Sequence, residues 1–308
     1  MKSLIRSMCI AAAAVALPAA AAQLEELTPV YLAPLLRILV HPGSPAFAAP
    51  VPFSGTPAAK GQWSYEGPEA VWRYRLRVPL ATSLSFKATG FQMPAGGTLR
   101  VNGRPITALD QAGGELWSAI SPGDGLVMEA RMPAAARDQF ALRFEQLQVG
   151  FRSLFGGADH PDYGPALAGS GGSAAATPCD TQNFTCWETP ENTEQGNATV
   201  MLIVAGSAQC SGTILRPIGG GTDKIYILSA SHCFEGTTAR AASRNTRVFY
   251  NPKAPCGSDI ARGYTLGEDA GIGGTLANAI GDSWLFEFTG ARPVGTSVSM
   301  AGFDASDA

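Results

Sequence analysis

The chain has 308 residues, 45% of them hydrophobic, which is enough apolar content for roughly two packed domains and excludes a disordered polymer. Its 22 Lys and Arg against 25 Asp and Glu give a formal charge of −3, so it offers no basic field to a nucleic acid or other polyanion.

Residues 1–22 begin basic at Lys2 and Arg6, run apolar from about residue 8 to residue 18, and end on Ala20, Ala21 and Ala22. This is the pattern of a secretory signal peptide cleaved before Gln23. A membrane anchor is the rival reading, but the apolar run falls short of the roughly 20 residues that span a bilayer. Losing Lys2 and Arg6 moves the formal charge from −3 to −5. A short helix is expected over residues 24–39, interrupted by Pro34, followed by a Pro/Ala-rich stretch.

From about Gln62 the pattern turns to strands. Trp72, Tyr74, Leu76 and Val78 alternate with Arg73, Arg75 and Arg77, the signature of a half-buried strand with a wet face. Asn102-Gly103 between residues 98–101 and 104–107 predicts a tight hairpin. Further strands are expected over 126–132 and 140–151, and the hydrophobic phase changes near Glu145, which predicts a bulge. Short strands at this spacing point to a β-sandwich. Residues 156–178 shift to Gly, Ala and Ser and read as an exposed linker, with His160 expected in solvent. Beyond it, strands are expected over 198–206, 208–215, 224–230, 246–251 and 283–289, a density that fits a small barrel.

Cys9 leaves with the signal peptide, and Cys179, Cys186, Cys210, Cys233 and Cys256 remain. An odd number in an oxidising compartment implies a free thiol, an intermolecular bridge, or a partner outside this sequence. The chemistry centres on Ile225-Tyr-Ile-Leu-Ser-Ala-Ser-His232-Cys233, preceded by Cys210-Ser-Gly-Thr-Ile-Leu. It sets a histidine at a strand end beside a cysteine able to pin it, as a general base requires; the plain alternative is a core-edge histidine. Fifty residues later Asp282 leads into the apolar run Ser283-Trp-Leu-Phe-Glu-Phe288. An aspartate there is ordinarily a turn or cap residue, but its distance after His232 favours a carboxylate that orients the imidazole. Asp223 competes for that role, although its place after Gly219-Gly-Gly-Thr222 suits a turn. Gly219–Thr222 and Gly271–Thr275 lack the Lys-Ser/Thr of a phosphate loop, and Asn183 and Asn197 open tripeptides that match the glycosylation pattern, which often arises by chance.

The segments Ser229-Ala230-Ser231-His232-Cys233 and Asp282-Ser-Trp-Leu-Phe-Glu-Phe288 resemble the histidine and aspartate motifs of chymotrypsin-like serine proteases. Ser207-Ala-Gln-Cys-Ser-Gly-Thr-Ile214, Gly274-Thr-Leu-Ala-Asn278 and Ala301-Gly-Phe-Asp304 are similar to the secreted bacterial lysyl-endopeptidase-like group within it. In the preceding segment, Trp72-Arg-Tyr-Arg-Leu-Arg77, Pro133-Ala-Ala-Ala-Arg137 and Gly150-Phe-Arg152 resemble that group's propeptide. The resemblance implies an all-β chain in which a β-sandwich-like pro-region precedes the first barrel of a chymotrypsin-like double β-barrel.

It implies a secreted endopeptidase precursor acting on proteins or peptides, with His232 as base, Asp282 as its partner, and no cofactor or metal. It further implies bridges Cys210–Cys233 and Cys186–Cys256, a partner for Cys179 beyond residue 308, and a pro-region serving as intramolecular inhibitor or folding aid. Ser283, Ser297, Ser299 and Ser306 lack the flanking glycines of the family's nucleophile loop, so that serine is expected outside the sequence. The expected organisation is signal peptide 1–22, pro-region 23–155, linker 156–178, first barrel 179–290 and the start of a second barrel 291–308. An inactive secreted binding module built on a half-barrel is the alternative.

Overall fold

The computed structural model describes residues 24–26, 32–41, 43–155, 158–164, 184–215, 224–234, 236–253, 256, 267–290 and 299–301. The expected signal peptide, Cys179, Asp223, and residues 165–178 of the expected linker lie outside them. The described chain is dominated by strands, with short helices, as expected for an all-β fold.

The first half is a sandwich of two six-stranded sheets. One runs β1 (Leu24–Glu26), β4 (Glu69–Arg77), β11 (Gly125–Pro133), β6 (Thr98–Val101), β7 (Arg104–Pro105), with β3 (Gln62–Glu66) also on β4. The other runs β2 (Ala48–Gly55), β12 (Ala141–Gly150), β5 (Ser83–Gln92), β9 (Glu115–Trp117), β8 (Gln111–Ala112), with β10 (Ser121–Pro122) on β5. Period-two alternation decides the layers: Trp72, Tyr74 and Leu76 point into the shared core, while Arg75 and Arg77 face solvent. Phe144 joins the sheets, its ring 4.8 Å from Phe86 and 6.1 Å from Tyr74.

Asn102 and Gly103 turn the β6–β7 hairpin at φ 47° and 81°, both in the left-handed region that a type I′ turn requires. The β12 register shifts between Phe144 and Gln146, where the phase change predicted a bulge. Residues 24–39 differ from expectation. They divide into β1 and the helix α1 (Ala33–Leu39), and Pro34 lies in the first helical turn, where a missing N–H costs nothing, rather than interrupting a helix. The Pro/Ala-rich segment also yields β2, which tolerates Pro50 and Pro52 because it lies at a sheet edge.

The second half follows two further short helices, α2 (Pro57–Lys60) in the sandwich and α3 (Thr193–Asn197) at its own start. Its strands are β13 (Thr199–Val204), β14 (Ala208–Leu215), β15 (Ile225–Ala230), β16 (Thr246–Tyr250), β17 (Glu268–Ile272), β18 (Gly274–Ile280) and β19 (Ser283–Phe288). They form one sheet in the order β17-β16-β13-β14-β15-β19-β18. Its two outermost strands are consecutive in the chain and meet at Gly273, φ 134°, so the sheet curls into a barrel around Val200, Leu202, Ile227, Val248, Trp284 and Phe286. The helix α4 (Ala239–Arg244) and the strands β17 and β18 had no clear signal, the strands because residues 268–280 are rich in Gly and small side chains.

The expectation for His160 also fails. His160 is 4% exposed rather than solvated: its N–H donates to Phe151 O at 2.8 Å, and its Nδ1 accepts the Asp162 N–H at 3.1 Å. Tyr163 packs its ring on Phe151, so residues 158–164 fold back onto the sandwich. Asn197, which opens one of the two glycosylation tripeptides, is buried at the end of α3, and Asn183 lies outside the described residues.

Candidate active site

The site is assembled by the β15–β19 ladder. Antiparallel pairing sets Ala230 opposite Ser283 and Ser229 opposite Trp284, so the residues that follow β15 meet those that precede β19. The β18–β19 connection is the two-residue turn Gly281-Asp282, between paired Ile280 and Ser283. Gly281 takes φ 58°, which a type II′-like turn demands at its first central position, and this puts Asp282 at the hairpin tip.

His232 lies in the 3₁₀ turn Ser231–Phe234 that ends β15. Its backbone N–H donates to Asp282 Oδ1 at 2.9 Å, while its Nδ1 is 2.9 Å from Asp282 Oδ2 and 3.1 Å from Oδ1. The Ser231 N–H donates to the Asp282 carbonyl at 2.8 Å, so one residue holds this turn by both backbone and side chain. The His232 imidazole beside Asp282 holds its carboxyl below the usual carboxylate range, and the backbone N–H of His232 adds to the effect. An ionised Asp282 accepts only, so its contact fixes the proton of neutral His232 on Nδ1 and leaves the Nε2 lone pair free to act as a base.

The turn is anchored from beneath. Cys233 is buried and bonded to Cys210 of β14, with Cα atoms 6.0 Å apart. Phe234 packs edge-on against Trp284 at 5.2 Å, and Trp284 stacks on Phe286 at 4.6 Å. The Trp284 indole N–H donates to Ser243 Oγ of α4 at 2.9 Å, which satisfies a polar group that is otherwise fully buried. Trp284 lies within the aspartate motif, but its supporting role was not read from it, and Ser243 lies outside any motif.

Cys186 is bonded to Cys256, the second bridge the resemblance implied. Two serines adjacent to the motif have their hydroxyls engaged: Ser229 Oγ donates to Ser211 O at 2.7 Å and Ser231 Oγ to Ser283 O at 3.3 Å. Cys210, Cys233 and His232 crowd within 4.8 Å, but the two sulfurs are bonded to each other and offer no thiolate to a metal. The arrangement presents an oriented, exposed imidazole on a rigid turn, which is the equipment for moving a proton. Residues 171–308 match the family model described as lysyl endopeptidase, C-terminal domain, and this segment of the chain is therefore related to lysyl-endopeptidase-type proteases.

Proposed function

We propose that the chain is the precursor of a secreted serine endopeptidase of the chymotrypsin-like class. The observation that carries this reading is the 2.9 Å contact between His232 Nδ1 and Asp282 Oδ2 on a turn bridged to β14 by Cys210–Cys233. His232 Nε2 takes the proton of a serine hydroxyl as its oxygen bonds to a peptide carbonyl, and Asp282 stabilises the resulting imidazolium. The same proton then passes to the leaving amine as the C–N bond breaks, and water repeats the sequence in reverse to free the acyl group. Residues 1–22 direct export, 23–155 form the pro-region and 156–178 link it to the barrel. Two disulfides fit an oxidising compartment, and no helix among the described residues is long and apolar enough to cross a membrane.

The test is peptide hydrolysis by the full-length gene product. His232→Ala should lower kcat/KM by about 10³-fold or more with the thermal transition preserved. Activity retained in that variant overturns the assignment.

A further inference from the structure

The barrel has a second face for which the chemistry of His232 gives no account. β13 reads Thr-Val-Met-Leu-Ile-Val and is buried on both sides from Val200 onward. Val200, Leu202 and Val204 fill the barrel, so Met201 and Ile203 point outward, as does Phe249 of β16. A small barrel has no reason to carry three outward apolar side chains on adjacent strands unless something covers them. Phe47, Ala48 and Leu154 of the sandwich half do so, with Ile120 and Phe155 packed at the margin.

Polar contacts fix the same face. The Phe47 N–H donates to Ser207 O and the Gln209 N–H to Pro45 O, each at 2.9 Å, and Ala46 bridges to Ala208 in antiparallel fashion. Beside this seam four charges close a ring: Arg104 and Asp110 from the sandwich half, Arg247 and Asp269 from the barrel. Asp110 Oδ1 accepts from Arg104 and Arg247, each at 2.8 Å, and Asp269 Oδ2 accepts from the same two guanidinium groups at 2.8 and 2.9 Å. Arg247 is 3% exposed and Asp110 fully buried; each half brings one cation and one carboxylate, and two of the four pairings, Arg247–Asp110 and Arg104–Asp269, cross between the halves. Arg247 also donates to the Trp117 carbonyl at 2.7 Å. Gly271, at φ 91°, approaches so closely that a Cβ there would come within 2.8 Å of Leu109.

In the sheet order, β16 and β13 are separated from β15 and β19 by β14 on one side and by the closing strands β17 and β18 on the other. The docked half therefore sits away from the turn that carries His232 and Asp282, whose side chains stay 55% and 64% exposed. We propose that residues 43–155 are a docking partner for the outer face of β13 and β16. They stay bound as a separate chain once the connection between residues 165 and 183 is cut, supporting the barrel from behind without covering His232. This does not depend on the protease reading, because its test needs no activity.

A recognition sequence for a sequence-specific protease, inserted at residues 170–175 of the full chain, allows the cut to be made after folding. The cut protein should elute from a sizing column at the volume of the uncut chain at about 1 µM, where loose contacts dissociate. In the cut protein Arg247→Met should raise the dissociation constant by about 30-fold or more, because it removes the two contacts that a buried guanidinium makes across the seam, to Asp110 and to the Trp117 carbonyl. Phe47→Ala should weaken the pair through the apolar contact alone. The amides of Phe47 and Ala48, which both donate to Ser207 O, should keep their hydrogen-exchange protection after the cut. Separation of the wild-type halves overturns the proposal, as does loss of that protection or indifference of the pair to both substitutions.

Discussion

Asp282 holds His232 at two points, accepting the backbone N–H on Oδ1 at 2.9 Å while Oδ2 faces Nδ1 at the same distance. Asp282→Asn keeps the shape of this contact but presents a side chain that can also donate, which favours the tautomer with the proton on Nε2. It should lower kcat/KM of the full-length gene product by about 10⁴-fold with little change in Tm. Because the carboxyl of Asp282 is depressed from its ordinary value of 3.8, the contact is fully present above that pH and is lost only as pH falls through the lower, folded-state value. The Nδ1 proton resonance of His232 should therefore persist down to pH 4; its disappearance at pH 5 would contradict the geometry.

The Cys210–Cys233 bridge closes a loop between residues 23 apart in sequence. In the chain-entropy picture its removal as a double alanine variant should cost about 3 kcal/mol, measured by denaturant unfolding. The same variant releases the turn Ser231–Phe234 from β14, so exchange of the Ser231 and His232 amides should rise more than that of β13. Equal rises in both places would show that the bridge stabilises the barrel generally and does not position the histidine.

Ser243→Ala removes the only acceptor found for the Trp284 indole N–H among the described residues while leaving the ring in place. A buried donor without a partner costs about 1–3 kcal/mol, and Trp284 is fully buried, so the loss should fall in that range. A neutral substitution, read by thermal and urea unfolding, would mean that the contact is incidental.

His160 gives the sandwich half a pH dependence. Burial pushes its pKa down, with the Asp162 carboxylate opposing that shift, so the folded state resists the proton that the unfolded state accepts near 6.5. Its stabilising effect is complete above about pH 6.5 and declines as pH falls through the depressed folded value. Unfolding measured between pH 7 and pH 5 should show a loss of stability that His160→Leu flattens. An unchanged slope in that variant would assign the effect to other groups.

Strand pattern and turn chemistry carried much of the sandwich half. The Trp72–Val78 alternation, the Asn102-Gly103 turn and the phase change at Glu145 each encode a local geometry that the fold preserves. Elements defined by tertiary context were harder to see. β2 hides in a Pro-rich stretch and is permitted only by its edge position, while β18 is mostly exposed and shows no apolar period. The burial of His160 has no local signal, because it depends on residues 158–164 folding back onto the sandwich at Phe151. His232 and Asp282 stood out by resemblance, and their contact by spacing; their support from Ser243 was invisible, since it depends on how α4 packs across 41 residues. Arg247 was equally silent, a lone charge in a strand whose partner Asp110 lies 137 residues earlier.

The pairing of β15 with β19 has one more consequence. Slipping one strand past the other by two residues would leave every side chain on its original face, so the barrel's hydrophobic pattern alone discriminates poorly against it. Such a slip would carry His232 about 7 Å from Asp282, since each residue advances a strand by about 3.4 Å. The histidine–aspartate contact is thus also a gauge of correct alignment: a chain that folds compactly but misaligned would keep its core and lose its imidazole partner.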